Sequence, residues 1–252
     1  MIALPALEQD TRWTSRPRPR PDAAMRLICL PYAGGGSVEY QQWAVLLPPA
    51  VEAIPVHLPG RERRFRETPR TRMGALVPEL ADALAPLLDR PYALFGYSMG
   101  AWVAFELVRE LRRRGAVQPS GLLAAAALPP DTPRSGDVRS MTDAEVIDRT
   151  LRLSGERDSP LHDPRLLRTV LPRLRADLEV ADSYEPALEA ALPFPIHAYA
   201  GDADDLAPPD KARGWARHTS AGFGLRVLSG GHFFLHDRQA DLLSHIIDDL
   251  EV

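Results

Sequence analysis

Cysteine is almost missing from this chain: Cys29 stands alone among 252 residues. An internal disulfide is therefore excluded, and the composition fits a reducing cytosol. None is needed, because a chain of this length buries roughly 70–75% of its unfolded surface and requires no disulfide or metal staple. Long apolar runs are missing as well, and none approaches the ~20 residues of a membrane-spanning helix. Positive charge is not in excess. Against 30 Lys and Arg stand 34 Asp and Glu, a formal net charge of -4, which predicts solubility and argues against a nucleic-acid binder. The N-terminus lacks the order of a signal peptide: a short apolar start, Met1 to Leu7, runs into an acid and then Arg16-Pro17-Arg18-Pro19-Arg20-Pro21. Residues 1–24 are expected to form a flexible Pro/Arg-rich leader, and the protein to be cytoplasmic.

With 45% apolar and 25% charged residues, the chain has the make-up of an ordinary globular domain. From Met25, short apolar runs alternate with helical stretches and no internal repeat intervenes, which predicts a mostly parallel central sheet flanked by helices. Strands are expected at Arg26–Leu30, Ala53–His57, Tyr92–Phe95, Gly121–Ala126, Ile196–Ala200 and Leu225–Leu228. Helices are expected at Glu39–Leu47, Met73–Leu88, Ala101–Arg114, Pro209–Arg217 and Ala240–Leu250. Residues 25–134 and 193–252 would make the α/β core. Between them, Ser135–Leu192 is far longer than a βα connection of ~2–6 residues and has helical periodicity. Thr142 is placed to cap a helix, and Leu166–Leu178 repeats apolar residues at three and four. A helical insertion, acting as a lid over the strand ends, is the expected reading.

Phe95-Gly96-Tyr97-Ser98-Met99-Gly100 matches the nucleophile elbow G-x-S-x-G, with an apolar strand leading in and a long helix leading out. Such a turn exposes the Ser98 hydroxyl above the sheet. Gly96 and Gly100 remove side chains that would clash there, and the Met99 amide is placed to donate to an oxyanion. In α/β-hydrolases a second amide comes from a loop after an early strand; Pro31-Tyr32-Ala33-Gly34-Gly35 stands there, with Ala33 as the expected donor. The loop lacks the G-x-G-x-x-G and Gly-Lys-Ser/Thr patterns of a nucleotide site.

The order Ser, acid, His places the base near the C-terminus. Ser229-Gly230-Gly231-His232 follows the last strand, so His232 is the expected base, with His236 in the same turn as its rival. The acid should follow the preceding strand, where Gly201-Asp202-Ala203-Asp204-Asp205 offers three carboxylates. Asp202 suits shaping the turn through its own backbone contacts. That leaves Asp204 to orient the imidazole, with Asp205 as an alternative.

Taken together, Leu30-Pro31-Tyr32-Ala33-Gly34-Gly35, Leu58-Pro59-Gly60-Arg61, the elbow, Gly201-Asp202-Ala203-Asp204 and Gly230-Gly231-His232-Phe233-Phe234 resemble the type II thioesterases of polyketide and nonribosomal peptide synthesis. The similarity runs from Met25 to the C-terminus, and vertebrate medium-chain fatty-acyl thioesterases share it more distantly. The resemblance implies an α/β-hydrolase fold, a triad of Ser98, Asp204 and His232, and an oxyanion hole of the Ala33 and Met99 amides. It further implies removal of aberrant or stalled acyl groups from the phosphopantetheine arm of a carrier protein. No cofactor or metal is implied, phosphopantetheine being part of the substrate. After Arg61 the chain has Glu62-Arg63-Arg64 where a small residue often follows, a departure that touches no catalytic role. Arg61, Arg63 and Arg64, with Arg66, could form a docking patch for an acidic carrier, or a solvated loop. Phe233, Phe234 and Trp102 could line an acyl pocket or be core, and Cys29 should be core. A carboxylesterase, lipase or acyltransferase would use the same triad. A monomer is the default expectation.

Overall fold

Six apolar runs line up side by side in the computed structural model, which describes residues 11–133, 137–154 and 163–252. They are β1 Met25–Leu30, β2 Val51–Pro55, β3 Tyr92–Tyr97, β4 Gly121–Ala125, β5 Ile196–Gly201 and β6 Phe223–Leu228. The sheet order is β2-β1-β3-β4-β5-β6, and every pairing is parallel. Strands β1 to β4 are buried throughout, which is why they read as unbroken apolar runs rather than alternating ones. Their side chains still alternate between two cores. Ile28, Leu30 and Leu94 face one cluster, while Leu27, Cys29 and Phe95 face the other, as a period of two requires.

The helices are α1 Trp43–Leu46, α2 Met73–Leu84, α3 Met99–Arg113, α4 Asp143–Ser154, α5 Pro164–Asp182, α6 Pro209–Ala212, α7 Phe234–Asp237 and α8 Gln239–Leu250. Three expected helices are shorter than their apolar pattern. Residues 39–47 divide into a 3-10 turn, Ser37–Tyr40, and α1. The stretch to Leu88 leaves the α-helix at Leu84, and Pro86 lies in the 3-10 turn Ala85–Leu87, where its missing N–H cannot continue the ladder. Helix α6 likewise passes into a 3-10 turn, Arg213–His218.

Residues 11–24 do not behave as a flexible leader. Thr14 bridges antiparallel to Val56, the Ser15 amide donates to Pro55 O, and the His57 amide donates to Trp13 O. Trp13 is buried, and the Arg16 guanidinium reaches the buried Glu52 carboxylate at 2.5 Å. The Arg20 guanidinium donates to the carbonyls of Ala44 and Leu47. The physical reason is the sheet edge: beyond β2 the backbone would present unpaired N–H and C=O groups, and the incoming chain covers them. Residues 1–10 of the expected leader lie outside the described residues.

Helices α4 and α5 fall between β4 and β5, within the expected insertion, of which 135, 136 and 155–162 lie outside the described residues. Thr142 and Glu145 cap α4 reciprocally: the Thr142 amide donates to the Glu145 carboxylate at 2.6 Å, and the Glu145 amide to Thr142 Oγ1 at 3.3 Å. Val138, Val146, Leu171 and Leu174 form a small core of their own, with Ala33 packed against it. No helix among the described residues is long and apolar enough to cross a membrane.

Because the chain leaves β1 for β2 on one side and then returns to β3 on the other, the carboxyl ends of β1 and β3 open a crevice. Such a switch point is where open α/β sheets bind ligands. The loop after β1 and the turn after β3 both stand there.

Candidate active site

Ser98 sits on the turn between β3 and α3 with φ 51° and ψ -117°. This is outside the regions L-residues favour and costs on the order of 1–3 kcal/mol. The turn exists because its flanks are bare. A Cβ on Gly96 would fall 2.3 Å from Gly100 O, and one on Gly100 would fall 2.4 Å from Leu30 O. The Ser98 amide donates to Ala125 O at 2.8 Å, tying the turn to the end of β4.

His232, in the loop between β6 and α7, approaches from the far side. Its Nε2 lies 3.1 Å from Ser98 Oγ and its Nδ1 lies 2.9 Å from Asp204 Oδ2. A carboxylate only accepts, so Nδ1 carries a proton, and in the neutral imidazole Nε2 presents a lone pair to the Ser98 hydroxyl. Asp204 follows β5 and is buried, whereas Asp205 is exposed. Burial alone would raise the Asp204 carboxyl. The hydrogen bond and charge of His232 and the amides of Ala207 and Leu206 outweigh it and hold the group below the usual carboxylate range. Its other oxygen, Oδ1, accepts from the Leu206 amide at 2.9 Å and the Ala207 amide at 3.1 Å. Asp202 instead shapes the neighbouring loop, accepting from the Gly230 amide at 2.8 Å. His236 is exposed and turns toward Tyr32 Oη, 3.4 Å away.

Ser98, His232, Ala33 and Met99 line one cavity of about 350 Å³, together with Trp102 and Phe233. A second cavity of about 520 Å³ adjoins it, sharing Tyr32, Ala33, Thr150, Leu174 and Phe233. Phe234 is fully buried in the core below and lines neither. A hydroxyl beside an imidazole oriented by a carboxylate, open to a cavity, is equipped for acyl transfer through a covalent intermediate.

A family model described as the thioesterase domain matches residues 25–250. The chain belongs to the thioesterase family. Thioesterase PikA5 of Streptomyces venezuelae is 39% identical over 241 residues, covering 95% of this chain and 86% of its own length. The gramicidin S biosynthesis protein GrsT of Aneurinibacillus migulanus is 31% identical, covering 98% of this chain and 96% of its own. Among solved structures, the type II thioesterase BorB of the borrelidin biosynthetic cluster superposes with a TM-score of 0.88 at 35% identity. That match covers 96% of this chain and 99% of BorB. The fold of this thioesterase is therefore the expected α/β-hydrolase fold.

The basic cluster is arranged otherwise than a docking patch requires. Arg61 is buried, donating to Gly35 O at 2.6 Å and pairing with Asp177 at 2.6 Å. Arg64 is buried too, 3.6 Å over the Trp13 ring, pairing with Glu67 and donating to His57 O. Neither can meet a carrier, because buried charges find partners within the fold. Arg63 and Arg66 are exposed.

Two contacts at the site were not anticipated from sequence. The Tyr97 hydroxyl, inside the elbow itself, donates to His232 O at 2.6 Å and accepts from the Leu235 amide at 3.3 Å. Asp177 accepts from the Gly34 amide at 2.7 Å. The second left a trace in sequence: an acid interrupts the apolar stripe Leu171, Leu174, Val180, Ala181 on α5. A charge on a core-facing stripe implies a buried partner.

Proposed function

We propose that this thioesterase hydrolyses aberrant or stalled acyl groups from the phosphopantetheine arm of acyl or peptidyl carrier proteins, in the cytoplasm. The hydrogen-bonded chain Ser98–His232–Asp204, opening on the cavity pair, carries the reading. Ser98 gives its proton to His232 Nε2 and attacks the thioester carbonyl, the oxyanion resting on the Ala33 and Met99 amides. The carbon–sulfur bond breaks, the pantetheine thiolate leaves and takes up the proton, and an acyl-serine remains. Water, deprotonated by His232, attacks that ester and releases the acid with Ser98 restored. No cofactor enters these steps. Helices α4 and α5 serve as a lid, and the two adjoining cavities hold the acyl chain and the pantetheine arm. Arg63 and Arg66 remain to attract an acidic carrier.

Support for the substrate class comes from the relatives: BorB and YbtT are described as type II thioesterases of biosynthetic pathways, and YbtT is 27% identical at a TM-score of 0.83. The test compares acyl groups on a phosphopantetheinylated carrier with the same groups on free pantetheine and on nitrophenol. The expected result is a higher kcat/KM on the carrier, lost by about 10⁴-fold or more in Ser98→Ala. A preference for the nitrophenyl ester would overturn the carrier assignment, and a fully active Ser98→Ala would overturn the nucleophile.

A further inference from the structure

The insertion grips the core at the loop on which the oxyanion hole depends. Asp177 of α5 is only 3% exposed. Its Oδ2 accepts from the Gly34 amide at 2.7 Å, and its Oδ1 accepts from Arg61 Nη2 at 2.6 Å. Arg61, 2% exposed, donates through Nη1 to Gly35 O at 2.6 Å. One buried ion pair thus holds an N–H and a C=O of consecutive residues directly after Ala33. Leu174, one turn earlier on α5, closes the same place: a Cβ on Gly34 would lie 3.1 Å from Leu174 Cδ1, and Gly34 has φ +81°.

We propose that Arg61 and Asp177 are positioning residues that aim the Ala33 amide at the oxyanion only while α5 is seated, so that hydrolysis is coupled to lid closure. The proposal rests on Ala33 being an oxyanion donor. Its physical basis is threefold. Fixing the Gly34 amide fixes the plane of the Ala33–Gly34 peptide, and with it the backbone that carries the Ala33 N–H. Oxyanion donors act through placement, and a misplacement near 1 Å costs about 10²-fold in rate. A buried ion pair also has no graded intermediate. Moving α5 away strips each charge of its partner until water replaces it, so the contact is either made or broken. Acyl groups that leave α5 seated are cleaved quickly. Those that displace it bind but turn over slowly, so selectivity appears in kcat rather than KM.

The experiment measures kcat, KM and the inhibition constant of an alkyl boronic acid that forms a tetrahedral adduct on Ser98. Asp177→Ala and Arg61→Met should lower kcat about 10- to 100-fold, with KM changed less than about threefold. Boronate affinity should weaken in proportion to kcat/KM, as a loss confined to the transition state demands. Asp177→Asn, which keeps the shape and one acceptor oxygen, should retain an intermediate rate and guards against a variant that does not fold. Arg109→Met removes an equally buried guanidinium remote from the loop; it should lower Tm and leave kcat intact. Folded Asp177→Ala and Arg61→Met with kcat within twofold of wild type would overturn the coupling, as would a fall in kcat without weaker boronate binding. Ala33→Pro, which deletes the amide hydrogen itself, separates the two readings. If it abolishes activity while Asp177→Ala does not, only the coupling fails; if it is fully active, the Ala33 assignment fails first.

Discussion

The two sides of Ser98 are held by different parts of the molecule. On the β5–β6 side, His232 is fixed from within the core. Asp204 holds its Nδ1, two backbone amides hold Asp204, and Tyr97 holds its carbonyl. On the β1 side, the Ala33–Gly35 loop leans on α5 of the insertion through Asp177 and Leu174. On the mechanism proposed above, the group that takes the proton is held by contacts within the core, whereas the loop that would receive the oxyanion is held by a contact from the insertion. A hydrolase that meets many acyl groups gains from this division, because only the second half need respond to what is bound.

The sharpest way to break the comparison is at Asp204. Asp204→Asn keeps the shape but allows the wrong tautomer of His232, and kcat should fall about 10³- to 10⁴-fold. The loss should be the same for every acyl chain, since this half does not sense the insertion. Asp205→Asn, on an exposed neighbour, should stay within about threefold. Thiol release from short and long acyl-pantetheines measures both. A loss in Asp204→Asn that varied strongly with the acyl chain would show that the two halves are not independent.

Tyr97→Phe tests the same side more gently. Burial pushes the Tyr97 hydroxyl well above its ordinary value, with the Leu235 amide opposing more weakly, so it stays a neutral donor throughout the working range. Removing it leaves the His232 carbonyl and the Leu235 amide without this partner, at a cost of about 1–3 kcal/mol. The urea midpoint should fall accordingly, and kcat by about tenfold as His232 loosens. A large loss of stability with unchanged kcat would mean that Asp204 alone is enough to place the imidazole.

How much of this was readable without coordinates follows the same division. The strands declare themselves as short apolar runs, so all six were placed to within two residues at either end. The elbow and His232 are local patterns on strand ends in a fixed chain order, so their meeting could be expected from sequence. Asp204 and Asp205, by contrast, are told apart only by the burial of the first and its hydrogen bond to His232. What failed depended on distant partners. Arg61 and Arg64 look like surface charge until Asp177, 116 residues on, and the Trp13 ring bury them. Residues 11–24 read as solvated because arginine and proline dominate them, yet a bare strand edge recruited them and Glu52 neutralised Arg16. Composition reports a segment's own preference; an unmet backbone edge or a buried countercharge can override it.

The mildest intervention lies where the insertion rejoins the core. Glu189 accepts from Arg112 at 2.7 Å and Arg113 at 2.9 Å, and pairs with the buried Arg109 at 2.8 Å. The Arg109 hydrogen bond, opposed by burial and aided by the other arginines, lowers its carboxyl to about 2. A folded value below the unfolded one, near 4.5, means that its stabilisation is complete above pH 4.5 and is lost as pH falls from about 4.5 to about 2. Glu189→Gln should lower stability by about 1 kcal/mol at pH 7 and match wild type near pH 2, as urea midpoints across that range would show. At pH 7 its kcat should stay within twofold, because the root of the insertion is tied to α3 and not to the loop after β1. If Glu189→Gln instead slowed hydrolysis as far as Asp177→Ala, the insertion would be acting on the oxyanion loop as one rigid body, and its grip could not be assigned to Asp177 alone.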